Sequence, residues 1–174
     1  NKPWRGKMDA AGGGVLINQA IHTLDLMTYL CGEVAAVKGN ICQLLDYDIE
    51  VEDTATAKLE FSNGATGLLF ATVANGENTN VEISVKTENG NYLIQDDKLY
   101  QVKNNIKFLI AENGVLNGEK FYYGTGHEQI FNVFYKDLET GESNCPNAAS
   151  GVASIRLIDA IRESSDKNKK IHLV

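Results

Sequence analysis

Apolar residues recur every three to four positions at Ile17, Ala20, Ile21, Leu24, Met27 and Cys31, a period that predicts an amphipathic helix over 17–31. Gly32 in "CGEV" stands where such a helix ends. The pattern then changes to alternation. "VAAVKGNICQLL" (34–45) suits a strand. In "EDTATAKLEF" (52–61), Thr54, Thr56, Lys58 and Glu60 fall on one face, and Ala55, Ala57, Leu59 and Phe61 on the other. "SNG" leads into "ATGLLFATVA" (65–74), and Asn-Gly between two such runs predicts a hairpin. "VEISVKT" (81–87) turns through "ENGN" into "YLIQ" (92–95), and "KLYQVK" (98–103) and "IKFLIA" (106–111) follow. Strands joined by short turns must pair antiparallel, because a parallel pair needs a crossover of about a dozen residues or more. Helical spacing returns in "GHEQIFNVFYKDLET" (126–140) and again at Val152, Ile155, Ile158 and Ile161, with "KKIHLV" (169–174) as a last short strand.

Helix, meander, two helices is the order of an α+β domain: an antiparallel sheet with helices on one face, spanning 1–174 as a single unit. Its second face must be solvated or paired. The dry faces of "ATGLLFATVA" and "VEISV" suit a second copy, so a homo-oligomeric contact through the open sheet face is expected.

Charge narrows the partners. The 174 residues carry a net charge of −7, and their basic residues are scattered, so neither nucleic acid nor an anionic membrane is an expected partner. The run from Lys167 to Lys170 reads as a solvated helix end. No apolar stretch reaches the roughly 18 residues a membrane span needs, and no signal peptide is visible. Cys31, Cys42 and Cys145 form no CxxC and read as free buried thiols of a cytoplasmic protein. GxGxxG, P-loop, HExxH, EF-hand and GxSxG patterns are absent, and three distant histidines assemble no metal site. The chain starts "NKPWRG" without Met, as part of a longer protein would.

The chemistry concentrates in "GGGVLINQAIHTLDLMTYL" (12–30). Four residues separate Asn18 from His22, which on a helix stacks them on one face, with Asp25 and Tyr29 continuing the stripe. An imidazole exchanges protons near neutral pH, and a hydrogen bond from Asn18 would fix its tautomer. Two readings stand side by side: a proton-transfer pair, or a capping Asn and a hydrogen-bonded structural His. The three glycines before the helix permit unusual φ values and a close approach by another backbone or a ligand.

The same residues resemble the signature of the glucose–fructose oxidoreductase / inositol dehydrogenase-like (Gfo/Idh/MocA) family: glycines, a polar residue, His four later, then "LDL". "WRG" at 4–6, "DIEVEDTATAKLEFSNGATG" (48–67), "TGHEQI" (125–130) and "ASIRLIDAIRESS" (153–165) extend the likeness in order along the chain. The resemblance implies the second domain of a two-domain enzyme, an α+β domain of the dihydrodipicolinate-reductase-like C-terminal type with a large, mostly antiparallel open sheet used for oligomerisation, with a Rossmann domain binding NAD or NADP outside this chain and no cofactor bound by this part alone. It implies hydride transfer between a sugar or polyol carbon and the nicotinamide, with His22 as acid/base. Asn18 stands where polyol dehydrogenases of the family often carry Asp; it can orient but not accept a proton. By the same resemblance Trp4 and Arg5 line the substrate pocket, while a surface salt bridge remains an alternative for Arg5. His127 either contacts the pocket or caps its helix, and Tyr122 and Tyr123 are further wall candidates. "NKP" at 1–3 mimics the family's "EKP" but lies only ten residues before Gly12, so Lys2 receives no role. A non-catalytic carbohydrate-binding or assembly module of the same fold is the rival reading.

Overall fold

The computed structural model describes residues 3–45, 48–77, 79–114 and 126–173. A 3-10 turn (Pro3–Gly6) and a one-turn helix α1 (Met8–Ala11) lead to a π-helical turn (Leu16–Ala20) that runs directly into α2 (Ile21–Cys31). Seven strands follow: β1 (Val34–Cys42), β2 (Thr54–Phe61), β3 (Thr66–Thr72), β4 (Ile83–Thr87), β5 (Gly90–Gln95), β6 (Lys98–Lys103) and β7 (Ile106–Glu112). Helix α3 (Gly126–Thr140), a 3-10 turn (Ala148–Gly151), α4 (Val152–Lys167) and the two-residue β8 (Ile171–His172) complete the chain. The α+β class and its antiparallel pairing are as the sequence predicts. The strands form two four-stranded sheets, ordered β3-β2-β1-β8 and β4-β5-β6-β7. They belong to two compact units, residues 1–77 with 148–174, and residues 78–147.

In the first unit the alternation of β2 decides the geometry. Ala55, Ala57, Leu59 and Phe61 point into the core, while Thr56 and Lys58 stay in water. The one departure is Thr54, which is buried and shares a 2.8 Å hydroxyl–hydroxyl hydrogen bond with Thr72 across the β2–β3 pair. Val37 of β1 and Leu69 of β3 extend the apolar face; Leu16, Leu24, Leu157, Ile158 and Ile161 cover it from the helical side. Each such Leu or Ile contributes about 1.5–3 kcal/mol when fully withdrawn from water. β8 pairs with β1 only at Ala36 and Val37. Beyond it, the N–H groups of Gly39 and Ile41 donate to the hydroxyls of Ser164 and Ser165 on α4. Side chains thus cover an edge that would otherwise invite another strand.

In the second unit three hairpins follow one another. Asp96 and Asp97 both have positive φ (52° and 59°), as do Asn104 and Asn105 (52° and 63°), so both two-residue loops adopt the left-handed pair that matches strand twist. The carboxylate of Asp137 on α3 accepts the N–H groups of Asn144 (2.7 Å) and Cys145 (2.8 Å) and the Asn144 side-chain amide, closing the turn after the helix. The three cysteines are free and half-buried rather than fully enclosed. Among the described residues no helix is long and apolar enough to cross a membrane.

Candidate functional site

The three glycines do structural work before any chemistry begins. Gly12 ends α1 with φ 72° and donates its N–H to Met8 O. Gly14 lies flat against the backbone of Glu52: a Cβ there would sit 1.7 Å from the Glu52 carbonyl oxygen. That closeness lets Val15 N–H reach Glu52 O at 2.9 Å and Leu16 N–H reach Glu52 Oε1 at 3.1 Å. Two first-turn donors, normally orphaned at a helix start, are therefore satisfied by one residue of a distant segment.

The expected regular helix over 17–31 begins instead with the π turn, anchored by Leu16 and Ala20, both buried. A π turn holds one residue more per hydrogen-bonded ring, so positions four apart no longer stack as in an α-helix. Asn18 accordingly turns back. Its amide donates to Gly13 O at 2.9 Å and Gly14 O at 3.1 Å, an orientation fixed because both partners are acceptors. No hydrogen bond joins Asn18 to His22 among the described residues. Asn18 shapes the turn from which the helix springs rather than the imidazole itself.

His22 follows in the first turn of α2 and is exposed, while Leu24 two residues on is fully buried. The rod is pinned on its core side and presents the imidazole outward. Asp25 Oδ1 accepts the Ser154 hydroxyl of α4 at 3.1 Å.

Trp4 and Arg5 occupy the opening 3-10 turn. Trp4 is 46% exposed, and the Arg5 guanidinium lies 5.6 Å from its ring centroid, a cation–π arrangement. Among the described residues Arg5 makes no ion pair. The turn is held by the segment just before Glu52. Glu50 N–H donates to Gly6 O at 2.7 Å, and the Glu50 carboxylate accepts Lys7 Nζ at 2.9 Å and Met8 N–H at 3.0 Å. The Lys7 hydrogen bond, then the Met8 N–H, hold the Glu50 carboxyl below the usual carboxylate range. Residues 50–52 thus anchor both the Trp4–Arg5 turn and the glycines that start the His22 helix. This anchor escaped the sequence reading, since Glu50 and Glu52 look there like ordinary acidic residues entering a strand.

His127 is exposed in the first turn of α3, in the second unit. Tyr122, Tyr123 and Lys2 lie outside the described residues. No cluster of His, Cys, Asp or Glu able to hold a metal ion occurs among the described residues.

A family model described as the GFO/IDH/MocA C-terminal domain matches residues 1–93. Levoglucosan dehydrogenase from Pseudarthrobacter phenanthrenivorans is 23% identical over 209 residues, covering 94% of this chain and 53% of its own length. The chain therefore spans about half of that relative. Among solved structures, levoglucosan dehydrogenase in complex with NADH and levoglucosan superposes with a TM-score of 0.80 at 24% identity, over 98% of this chain and 53% of the other. An oxidoreductase from Agrobacterium radiobacter, in complex with NAD+, L-tartaric acid and magnesium, gives 0.80 at 19% identity over 98% and 52%. The WlbA dehydrogenase from Bordetella pertussis, in complex with NADH and UDP-GlcNAcA, gives 0.69 at 25% identity over 99% and 49%.

Proposed function

Because the chain belongs to the GFO/IDH/MocA C-terminal domain family, we propose that the protein carrying it is an NAD(P)-dependent oxidoreductase acting on a sugar or polyol. The dinucleotide is assigned to a Rossmann domain outside these residues, in keeping with the missing GxGxxG. When bound, nicotinamide supplies the hydride acceptor or donor at C4. The work assigned to this chain is proton handling and positioning. His22 takes the proton of the substrate hydroxyl as hydride leaves the same carbon, and returns it in the reverse direction. Asn18 holds the turn from which that helix starts. The exposed face of Trp4 offers apolar contact to the C–H face of a sugar ring, and Arg5 offers hydrogen-bond donors to its oxygens. The two exposed apolar side chains on the outer face of β3, Leu68 and Phe70, support a homo-oligomer through the open sheet face.

The observation that carries the reading is the exposed imidazole of His22 on a helix whose start is locked against Glu52. The test is His22→Ala in the whole protein, assayed with NAD and NADP against a panel of sugars and polyols that includes levoglucosan. Loss of general acid–base catalysis is expected to lower kcat by about 10²–10⁴-fold, with an unchanged circular dichroism spectrum. Unaltered turnover on any oxidised member of the panel overturns the assignment and leaves a non-catalytic module of the same fold.

A further inference from the structure

Behind the glycines lies a buried charge pair that the proposed chemistry does not use. Glu52 has only 2% of its side chain exposed, and Arg162 of α4 21%. Arg162 Nη2 stands 3.7 Å from Glu52 Oε1, the oxygen that accepts Leu16 N–H. Burying a carboxylate here is unfavourable unless it is paired and hydrogen-bonded. Hydrophobic residues of similar size would fill the same space more cheaply, so the pair calls for another reason to be there.

Its position supplies one. The guanidinium occupies the space beside Gly13 that any side chain would need: a Cβ at Gly13 would lie 1.6 Å from Arg162 Nη2. Gly13 also has φ 147°, which a residue with a Cβ rarely adopts. The second nitrogen, Nη1, reaches Asp159 Oδ1 at 3.9 Å, one turn earlier on α4. Three anchors therefore converge on the four consecutive residues 13–16. Arg162 packs on Gly13, the Glu52 carbonyl accepts Val15 N–H against Gly14, and the Glu52 carboxylate accepts Leu16 N–H. Glu52 Oε2 and Arg162 Nε and Nη2 are buried without a hydrogen-bond partner among the described residues. Fixing one geometry among several is a known use of such a charge pair.

We propose that Glu52 and Arg162 form a positioning pair that fixes the azimuth and start of the π turn and, through it, the direction in which His22 points. Glu52 acts as an N-terminal cap donated from a distant strand entry, and Arg162 is the counter-charge that keeps it seated. The pair rests on the acid/base role proposed for His22 only for its consequence in turnover; its geometric claim stands separately.

The test therefore reads His22 directly. The whole protein is labelled with ¹⁵N in histidine and in leucine, and the His22 imidazole is identified by its loss in His22→Gln. Glu52→Leu is expected to speed Leu16 amide exchange at least tenfold and to displace the His22 imidazole signals, leaving those of His172, on β8 of the same unit, in place. Glu52→Gln, which keeps an acceptor for Leu16 N–H, is expected to restore most of the protection. Arg162→Met removes only the counter-charge and is expected to act like Glu52→Leu in the same direction; it serves where Glu52→Leu does not fold. Unmoved His22 signals in both variants overturn the proposal, as does an equal displacement of His22 and His172, which a general loosening would produce. If His22→Ala leaves turnover intact while His22 signals move as expected, the catalytic reading fails and the positioning pair survives.

Discussion

Ser154 of α4 donates its hydroxyl to Asp25 of α2 at 3.1 Å, three residues beyond His22 on the same helix. The two ends are unequal. Ser154 is 2% exposed, whereas Asp25 keeps contact with water. Removing the buried hydroxyl lets the carboxylate rehydrate, so Ser154→Ala is expected to cost about 1 kcal/mol. Asp25→Ala strands a buried hydroxyl and is expected to cost more, about 1–3 kcal/mol. Urea titrations of both variants measure the order through their midpoints at constant slope. The reverse order would mean that the link is held from the Asp25 side.

The glycines separate two costs that sequence alone merges. A Cβ at Gly12 meets nothing within 4 Å, so Gly12→Ala bears only the strain of φ 72°. That strain is about 1–2 kcal/mol for a residue in the left-handed region. At Gly14 a methyl group would overlap the Glu52 backbone at 1.7 Å, and backbone cannot swing aside as a side chain can. Gly14→Ala must push the helix start away from Glu52 and forfeit both N–H contacts there. Its expected cost is about 2–6 kcal/mol, since two buried donors lose their partners together at about 1–3 kcal/mol each. Thermal melts of the two variants give the comparison; similar midpoints would refute the close-packed account of Gly14.

Periodicity carried most of the fold because it depends only on neighbours in the chain. Strand β6 (Lys98–Lys103) and helix α3 (Gly126–Thr140) fall where alternation and helical spacing place them. The hairpin turns at Asp96-Asp97 and Asn104-Asn105 are less visible, since neither pair contains the glycine that usually marks such loops. The site divides in the same way. His22 stands out as an imidazole in a polar stripe, and in the structure it is exposed. The π turn does not stand out, because the extra residue comes from Leu16 and Ala20 both seeking the core and from two N–H groups drawn to Glu52. Arg162 is legible only as one more charge on α4; that it meets Gly13 depends on how α4 lies over β1.

Asp53 ties acid stability to the first unit. It is 1% exposed, and its carboxylate accepts the N–H groups of Leu44 and Leu45 at 2.9 Å each. Burial alone would raise its pKa; the two N–H groups and the Thr54 hydroxyl outweigh that and lower it. A carboxyl with a depressed folded-state pKa stabilises the fold above its unfolded value, about 3.9. That contribution is lost as the pH falls through the folded value. Asp53→Asn is therefore expected to be less stable than the parent at pH 7. The gap should narrow below about pH 4 and close once the parent carboxyl is protonated in both states. Melting temperatures of the two proteins from pH 7 down to pH 2 check this, and a gap that stays constant across the range would refute it.

The open face of the first sheet yields the last prediction. Lys58 pairs with Leu68, and Thr56 with Phe70, across β2 and β3, so both apolar side chains stand on the side away from the helices. Leu68 is 82% exposed and Phe70 68%. A Phe and a Leu side by side on a sheet face, flanked by Lys38, Asn40, Thr56 and Lys58, have the composition of an interface core with a polar rim. Since neither side chain supports the fold of its own unit, Leu68→Glu and Phe70→Glu are expected to change unfolding of the isolated protomer by no more than about 0.5 kcal/mol each. Two copies meeting face to face would instead bring the new carboxylates together in a desolvated patch, which like-charge repulsion opposes. Analytical ultracentrifugation of the double variant is expected to show a smaller species than the parent at the same concentration. An unchanged sedimentation coefficient would place any assembly surface elsewhere on the molecule.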